Sequence, residues 1–132
     1  MQPTKLSPGL ELFTTRHLAV VEGDRAAAEM LHMFFRLMEL ECTLISHGSE
    51  AIPTLRRLRP DVLILDLDLP DLRALDIASQ IHALLPRLPI LFLTDAEQPS
   101  IPLDAPVLRK PHGKFEDMLR LFEAVLRLEE GG

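Results

Sequence analysis

The stretch VLILDLDLPDL, residues 62–72, runs from four consecutive apolar side chains into Asp66, then Asp68, with Pro70 two places on. An apolar run without alternation marks a strand covered on both faces, as in a parallel sheet. Ending such a strand in an acid puts a carboxylate at a rigid, partly desolvated position. That is costly unless a cation or a hydrogen-bond donor meets it. We read the strand as 61–66, and the rest of the chain has to supply what meets Asp66.

Outward from this strand the pattern is regular. HLAVV (17–21) is a buried strand, and residues 24–40 form a helix with Ala27, Met30, Leu31, Phe34 and Met38 at helical spacing and Asp24 placed to cap its start. CTLI (42–45) is a second strand. A helix at 49–58 follows, entered through Gly48 and Ser49, with Pro53 close enough to its first turn to be tolerated. After the 61–66 strand, a helix over roughly 72–85 shows an apolar face of Leu72, Leu75, Ile77, Ala78, Ile81 and Leu85 before Pro86. PILFLT (89–94) and PVLRK (106–110) are the fourth and fifth strands. Residues 115–130 make an amphipathic last helix, apolar at Phe115, Met118, Leu119, Phe122, Val125 and Leu126. Met33 and Phe35 extend the apolar surface of the first helix, and Cys42 reads as a small core residue. Residues 1–16, with Pro3, Pro8 and Gly9 among polar side chains, are an N-terminal extension to a single domain at 17–130.

Strands alternating with helices imply an α/β fold of parallel strands joined by right-handed crossovers. Chemistry in such sheets sits beyond the carboxyl ends of the strands. Those ends carry Glu22, Gly23 and Asp24; Asp66 and Asp68; Thr94 and Asp95; and Lys110 with Pro111. Every polar group that could act therefore collects at one edge.

Composition narrows the partners. The 132 residues, 47% hydrophobic, can bury one core, and a formal net charge of -6 works against direct DNA binding or an anionic membrane surface. A lone Cys42, no apolar signal core and no membrane-length window suggest a cytoplasmic protein. The histidines at 17, 32, 47, 82 and 112 share no ligand spacing.

Two acids at the edge could hold a hard divalent cation such as Mg²⁺ through oxygen ligands, while Lys110 and Thr94 contact the oxygens of a phosphoryl group on Asp66. The ordered set of Glu22, LILDLDLP with Asp66 and Pro70, Thr94, and Lys110-Pro111, with HGSEA and LRPDVLILD beside it, resembles the receiver domain of two-component response regulators over roughly 17–130. The resemblance implies a flavodoxin-like, doubly wound five-stranded parallel sheet of order 2-1-3-4-5. It implies Asp66 as phosphoacceptor from a histidine kinase or phosphotransfer partner in a phosphorelay, Thr94 as the hydroxyl that moves toward the phosphoryl group, and Lys110 as its cationic contact. Glu22, Asp66 and the Asp68 backbone carbonyl would hold Mg²⁺, with Asp24 as a further candidate ligand. A downstream protein target and a homodimer are implied as partners.

Departures from the family's pattern carry their own expectations. Gly23 stands where a second acid is usual, so Mg²⁺ binding is expected to be weakened or lost. Val107 replaces an aromatic, and Ala74 a glycine. Only 15 residues separate Thr94 from Lys110, with Pro99, Pro102 and Pro106 among them, and an interior proline costs a helix about 3 kcal/mol. The helix the family places there is expected to be absent or strongly shortened. Two alternatives stand beside the phosphoacceptor. One is a phosphorylation-independent pseudo-receiver, used for protein–protein contact or dimerisation. The other is an Asp-x-Asp phosphohydrolase of the haloacid-dehalogenase type, which matches only at LILDLDLP and lacks a late acidic pair apart from Glu116-Asp117 on the last helix. The expectation is therefore of a non-enzyme. Plainer roles also exist: Asp68 and Asp71 suit a turn around Pro70, and Glu22 suits a solvated strand end.

Overall fold

The computed structural model describes residues 16–97 and 105–131. Its strands are β1 (His17–Val21), β2 (Glu41–Ile45), β3 (Val62–Asp66), β4 (Ile90–Thr94) and β5 (Val107–Arg109). They form one parallel sheet of order β2-β1-β3-β4-β5, as the resemblance implied. The helices are α1 (Arg25–Leu37), α2 (Ala51–Leu58), α3 (Ala74–Leu84) and α4 (Phe115–Gly131), with one 3-10 turn at Gly48–Glu50 ahead of α2.

Side chains alternate across the sheet with the strand period of two, which divides the core into two layers. Leu18, Val20, Val62, Ile64, Leu91 and Leu93 face α1 and α4, where Leu31, Phe34, Phe35, Met118, Leu121, Phe122 and Val125 cover them. Ala19, Val21, Leu63, Leu65 and Phe92 face α2 and α3, under Ala51, Leu55, Ala74, Ile77 and Ile81. β3 is central and buried at every residue, so its unbroken apolar run has a cover for each face. An edge-to-face contact between Phe34 and Phe122, ring centroids 6.3 Å apart, ties α1 to α4. Cys42 is core as expected, and burial pushes its thiol up to about 12, against the nearby Arg36.

Local signals account for both ends of α1 and the far end of α2. The Asp24 carboxylate accepts from Ala27 N–H at 2.9 Å and caps α1, and Glu39 in the left-handed region (φ 64°) closes its far end. Arg59 (φ 48°) does the same for α2. Pro53 is the third residue of α2, where its missing N–H costs little.

Some expectations need correction. Phe115, Met33 and Leu72 are exposed and do not join the core, while Leu121, not foreseen, is buried. Periodicity places a residue on a stripe, but Phe115 and Leu72 lie at or just outside a helix start, before the helix meets the sheet. The shortened helix between β4 and β5 falls mainly on residues 98–104, outside the described residues. The flanking 95–97 and 105–106 are not helical. The extension's residues 1–15 likewise lie outside the described residues. Among the described residues, no helix is long and apolar enough to cross a membrane.

Candidate functional site

Strand register assembles the site. Val21 pairs with Leu65, so Glu22 stands level with Asp66; Asp66 pairs with Leu93, and Thr94 with Arg109. Three neighbouring strands thus deliver Glu22, Asp66 and Thr94 to the same rim, and all three are buried. Lys110 leaves β5 with its backbone N–H on the Thr94 carbonyl at 3.0 Å, which turns its side chain over the rim.

There the ammonium meets three carboxylates. Lys110 Nζ lies 2.9 Å from Asp66 Oδ1, 3.6 Å from Glu22 Oε2 and 3.5 Å from Asp68 Oδ2. Backbone donors complete the shell. Asp68 N–H donates to Asp66 Oδ1 at 2.8 Å, Gly23 N–H to Asp66 Oδ2 at 3.3 Å, and Asp24 N–H to Glu22 Oε2 at 3.1 Å. Thr94 does not donate to Asp66. Its hydroxyl donates to Asp68 Oδ1 at 3.2 Å and accepts from Ala96 N–H at 3.0 Å.

The two buried acids divide the charge between them. Burial raises Glu22 to about 7, and the neighbouring Asp66 adds to the rise against Asp24 N–H and Lys110. Burial also pushes Asp66 upward, but Glu22, Lys110 and the Asp68 N–H outweigh it and hold its carboxyl below the usual range. Lys110 loses by burial and gains more from Asp66 and Glu22, so it stays charged. Asp66 is thus the stronger acid of the pair, and Glu22 is the one that holds its proton to higher pH.

One prediction follows from the sign of this shift. A group whose folded pKa lies above its unfolded value favours folding below the unfolded value and loses that contribution as pH rises through the folded one. For Glu22 the window runs from 4.5 to about 7. Glu22→Gln keeps one side-chain oxygen and removes the charge, so it is expected to stabilise the domain by about 1–3 kcal/mol at pH 8 and by nearly nothing at pH 4.5. Urea unfolding at the two pH values reads the difference.

Each residue expected at the site is accounted for. Glu22, Asp66, Thr94 and Lys110 converge. Asp68 joins them through its carboxylate. The Asp24 side chain is turned to the α1 terminus. The expectation missed two features. His112, in a tight turn with Gly113 after Pro111, pairs its Nε2 with Asp95 Oδ1 and joins the exits of β4 and β5. Asp71 accepts from Gly48 N–H and Ser49 N–H at 3.1 Å each and pins the β3–α3 loop to the 3-10 turn. Residue type at the loop ends was the only signal for either. A cavity of about 240 Å³, walled by Glu22, Asp24, Asp95, Lys110 and His112, borders the rim.

Comparison with known proteins agrees with this fold. The chain is 41% identical over 75 residues to the transcriptional regulatory protein TcrX of Mycobacterium tuberculosis, covering 57% of this chain and 32% of that protein. It is 35% identical over 68 residues to the DNA-binding response regulator MtrA of Mycolicibacterium smegmatis, covering 52% and 30%. The chain thus spans about a third of the length of these relatives. The fold matches the chemotaxis response regulator CheY4 of Vibrio cholerae with a TM-score of 0.73 at 22% identity, over 86% of this chain and 100% of that one. A sequence profile of the response regulator receiver domain matches residues 18–106. With that match and the 2-1-3-4-5 sheet, the chain belongs to the response regulator receiver domain family.

Proposed function

We propose that this domain accepts a phosphoryl group on Asp66 from a phosphohistidine of a kinase or phosphotransfer partner, and that the change at the β4 exit is read by a downstream protein. The observation that carries this reading is the ammonium of Lys110 at 2.9 Å from the buried, ionised Asp66 carboxylate. An Asp66 oxygen attacks phosphorus, the new P–O bond forms as the P–N bond breaks, and the imidazole nitrogen leaves with the electron pair. Lys110 offsets the negative charge gathering on the phosphoryl oxygens, and the low pKa of Asp66 keeps the nucleophile unprotonated. The net charge of -6 supports a protein partner rather than direct contact with DNA.

A bound Mg²⁺ would neutralise charge during transfer, but the residues present fit it poorly. Among the described residues, Glu22 and Asp66 are the buried acids, and Asp68 is turned toward Thr94. Among the described residues, every buried side-chain nitrogen or oxygen already has a partner. A Cβ at Gly23 would lie 2.9 Å from Pro70 Cδ, so the place of a second acid is narrowed by a ring. Weak or lost Mg²⁺ binding is therefore part of the proposal, and no step above passes through the ion.

Incubation with acetyl phosphate, with and without Mg²⁺, tests the reading by intact mass. The expected product gains one phosphoryl group, which hydroxylamine releases from an acyl phosphate; an unchanged mass under both conditions rejects it. A pseudo-receiver is the second reading, favoured by Gly23 and by the engagement of Thr94 with Asp68. Turnover of an aryl phosphate is expected to be absent, as suits an acceptor rather than a phosphohydrolase.

A further inference from the structure

Asp68 stands two residues past the acceptor, and the proposed transfer does not use its carboxylate. Its Oδ1 takes the Thr94 hydroxyl at 3.2 Å. Its Oδ2 takes the Asp95 N–H at 3.0 Å and lies 3.5 Å from Lys110 Nζ. A hydroxyl, a backbone N–H and an ammonium, drawn from the exits of β4 and β5, therefore converge on one carboxylate. The same ammonium touches Asp66. These are the donor types that bind an oxyanion, and here they are aimed beside the group that would carry one.

We propose that the Asp68 carboxylate is a built-in stand-in for the phosphoryl group, holding Thr94, Asp95 and Lys110 as an anion on Asp66 would hold them. A hydroxyl proton and a single N–H each serve one strong acceptor at a time, so an incoming anion reaches these donors only by displacing Asp68. Charge points the same way, because two anions sharing one ammonium repel each other. Asp68 is also the member that can leave. Its side chain is 41% exposed, against 2% for Glu22 and 3% for Asp66, so rotation into water leaves no buried charge behind. The β4 exit is thus preset in the unmodified protein. The inference rests on the phosphoacceptor reading only for the identity of the anion, since the exchange of donors can be measured without it.

The test titrates inorganic phosphate, free of divalent metal, into the wild type, Asp68→Ala and Asp68→Asn, following the Thr94 and Asp95 backbone amides by NMR. Both variants change a partly exposed loop residue, and the amide side chain preserves its size. Loss of the carboxylate is expected to move the Asp95 amide before any ligand is added. Phosphate then returns it toward the wild-type position, binding about tenfold more tightly than to the wild type. Asp68→Asn is expected to show the same gain in affinity from a smaller starting shift. An Asp95 amide unmoved by Asp68→Ala, or equal phosphate affinity in the three proteins, overturns the inference. Acetyl phosphate on the same proteins separates the two readings. Donor exchange without labelling of Asp66 retires the phosphoacceptor and upholds the stand-in. Labelling at the same rate in all three, with unmoved amides, does the reverse.

Discussion

Lys110→Met is expected to destabilise the domain by about 3–5 kcal/mol at pH 8, the range for a buried ion pair broken on one side. The lysine side chain is 11% exposed and is the cation within reach of Glu22, Asp66 and Asp68 together. Methionine fills the volume of the stem and removes the charge, leaving two buried carboxylates facing each other. The cost is expected to shrink at pH 5, where Glu22, raised to about 7, is already neutral and donates to Asp66 instead of repelling it. Urea midpoints at pH 5 and pH 8 measure both numbers. A cost equal at the two pH values would show that the ammonium does not balance Glu22. Phosphoryl acceptance is expected to fall by about 100-fold or more in the same variant, as when a charge-stabilising donor is lost from a transition state.

Asp66→Asn separates chemistry from stability in the opposite sense. Labelling by acetyl phosphate is expected to fall by more than about 100-fold, because an amide oxygen is a poor nucleophile and no other ionised, buried carboxylate stands at 2.9 Å from Lys110 Nζ among the described residues. The fold is expected to lose much less than in Lys110→Met, since Lys110 keeps Glu22 and Asp68 within 3.6 Å and is not orphaned. Glu22 keeps a raised pKa, because burial, which the substitution does not relieve, is its largest cause. Intact mass and urea unfolding on one preparation read both effects. Residual labelling near the wild-type level would move the acceptor to another acid. If Asp66→Asn leaves regulation of a partner intact while labelling is lost, the pseudo-receiver is the correct reading.

Much of this was legible before any coordinates. The unalternated run at 62–65 demanded a cover on both faces, and the acid at its end demanded a counter-charge; the fold supplies α1 with α4, α2 with α3, and Lys110. The order of Glu22, Asp66, Thr94 and Lys110 along the chain placed them on one rim, because parallel strands align their carboxyl ends. The direction of the Asp68 carboxylate was not legible. It depends on a backbone turn in which Asp68 N–H bonds back to Asp66, and on the reach of that turn to β4. Loop-to-loop contacts such as Asp71 with Gly48 and His112 with Asp95 escaped for the same reason. Their partners are distant in sequence and belong to no periodic element. The exposure of Met33 shows a third limit, since an apolar side chain on a helix tells its face only once the rotation of that helix against the sheet is known.

The approach of Pro70 to Gly23 bears on how such a domain changes over generations. With glycine at position 23 the loop between β3 and α3 lies close enough that a Cβ there would stand 2.9 Å from Pro70 Cδ. An acid introduced at 23 by a single codon change meets that ring before it meets any ion. An acid at 23 and the ring at 70 therefore have to be accommodated together, by an outward shift of the loop between β3 and α3.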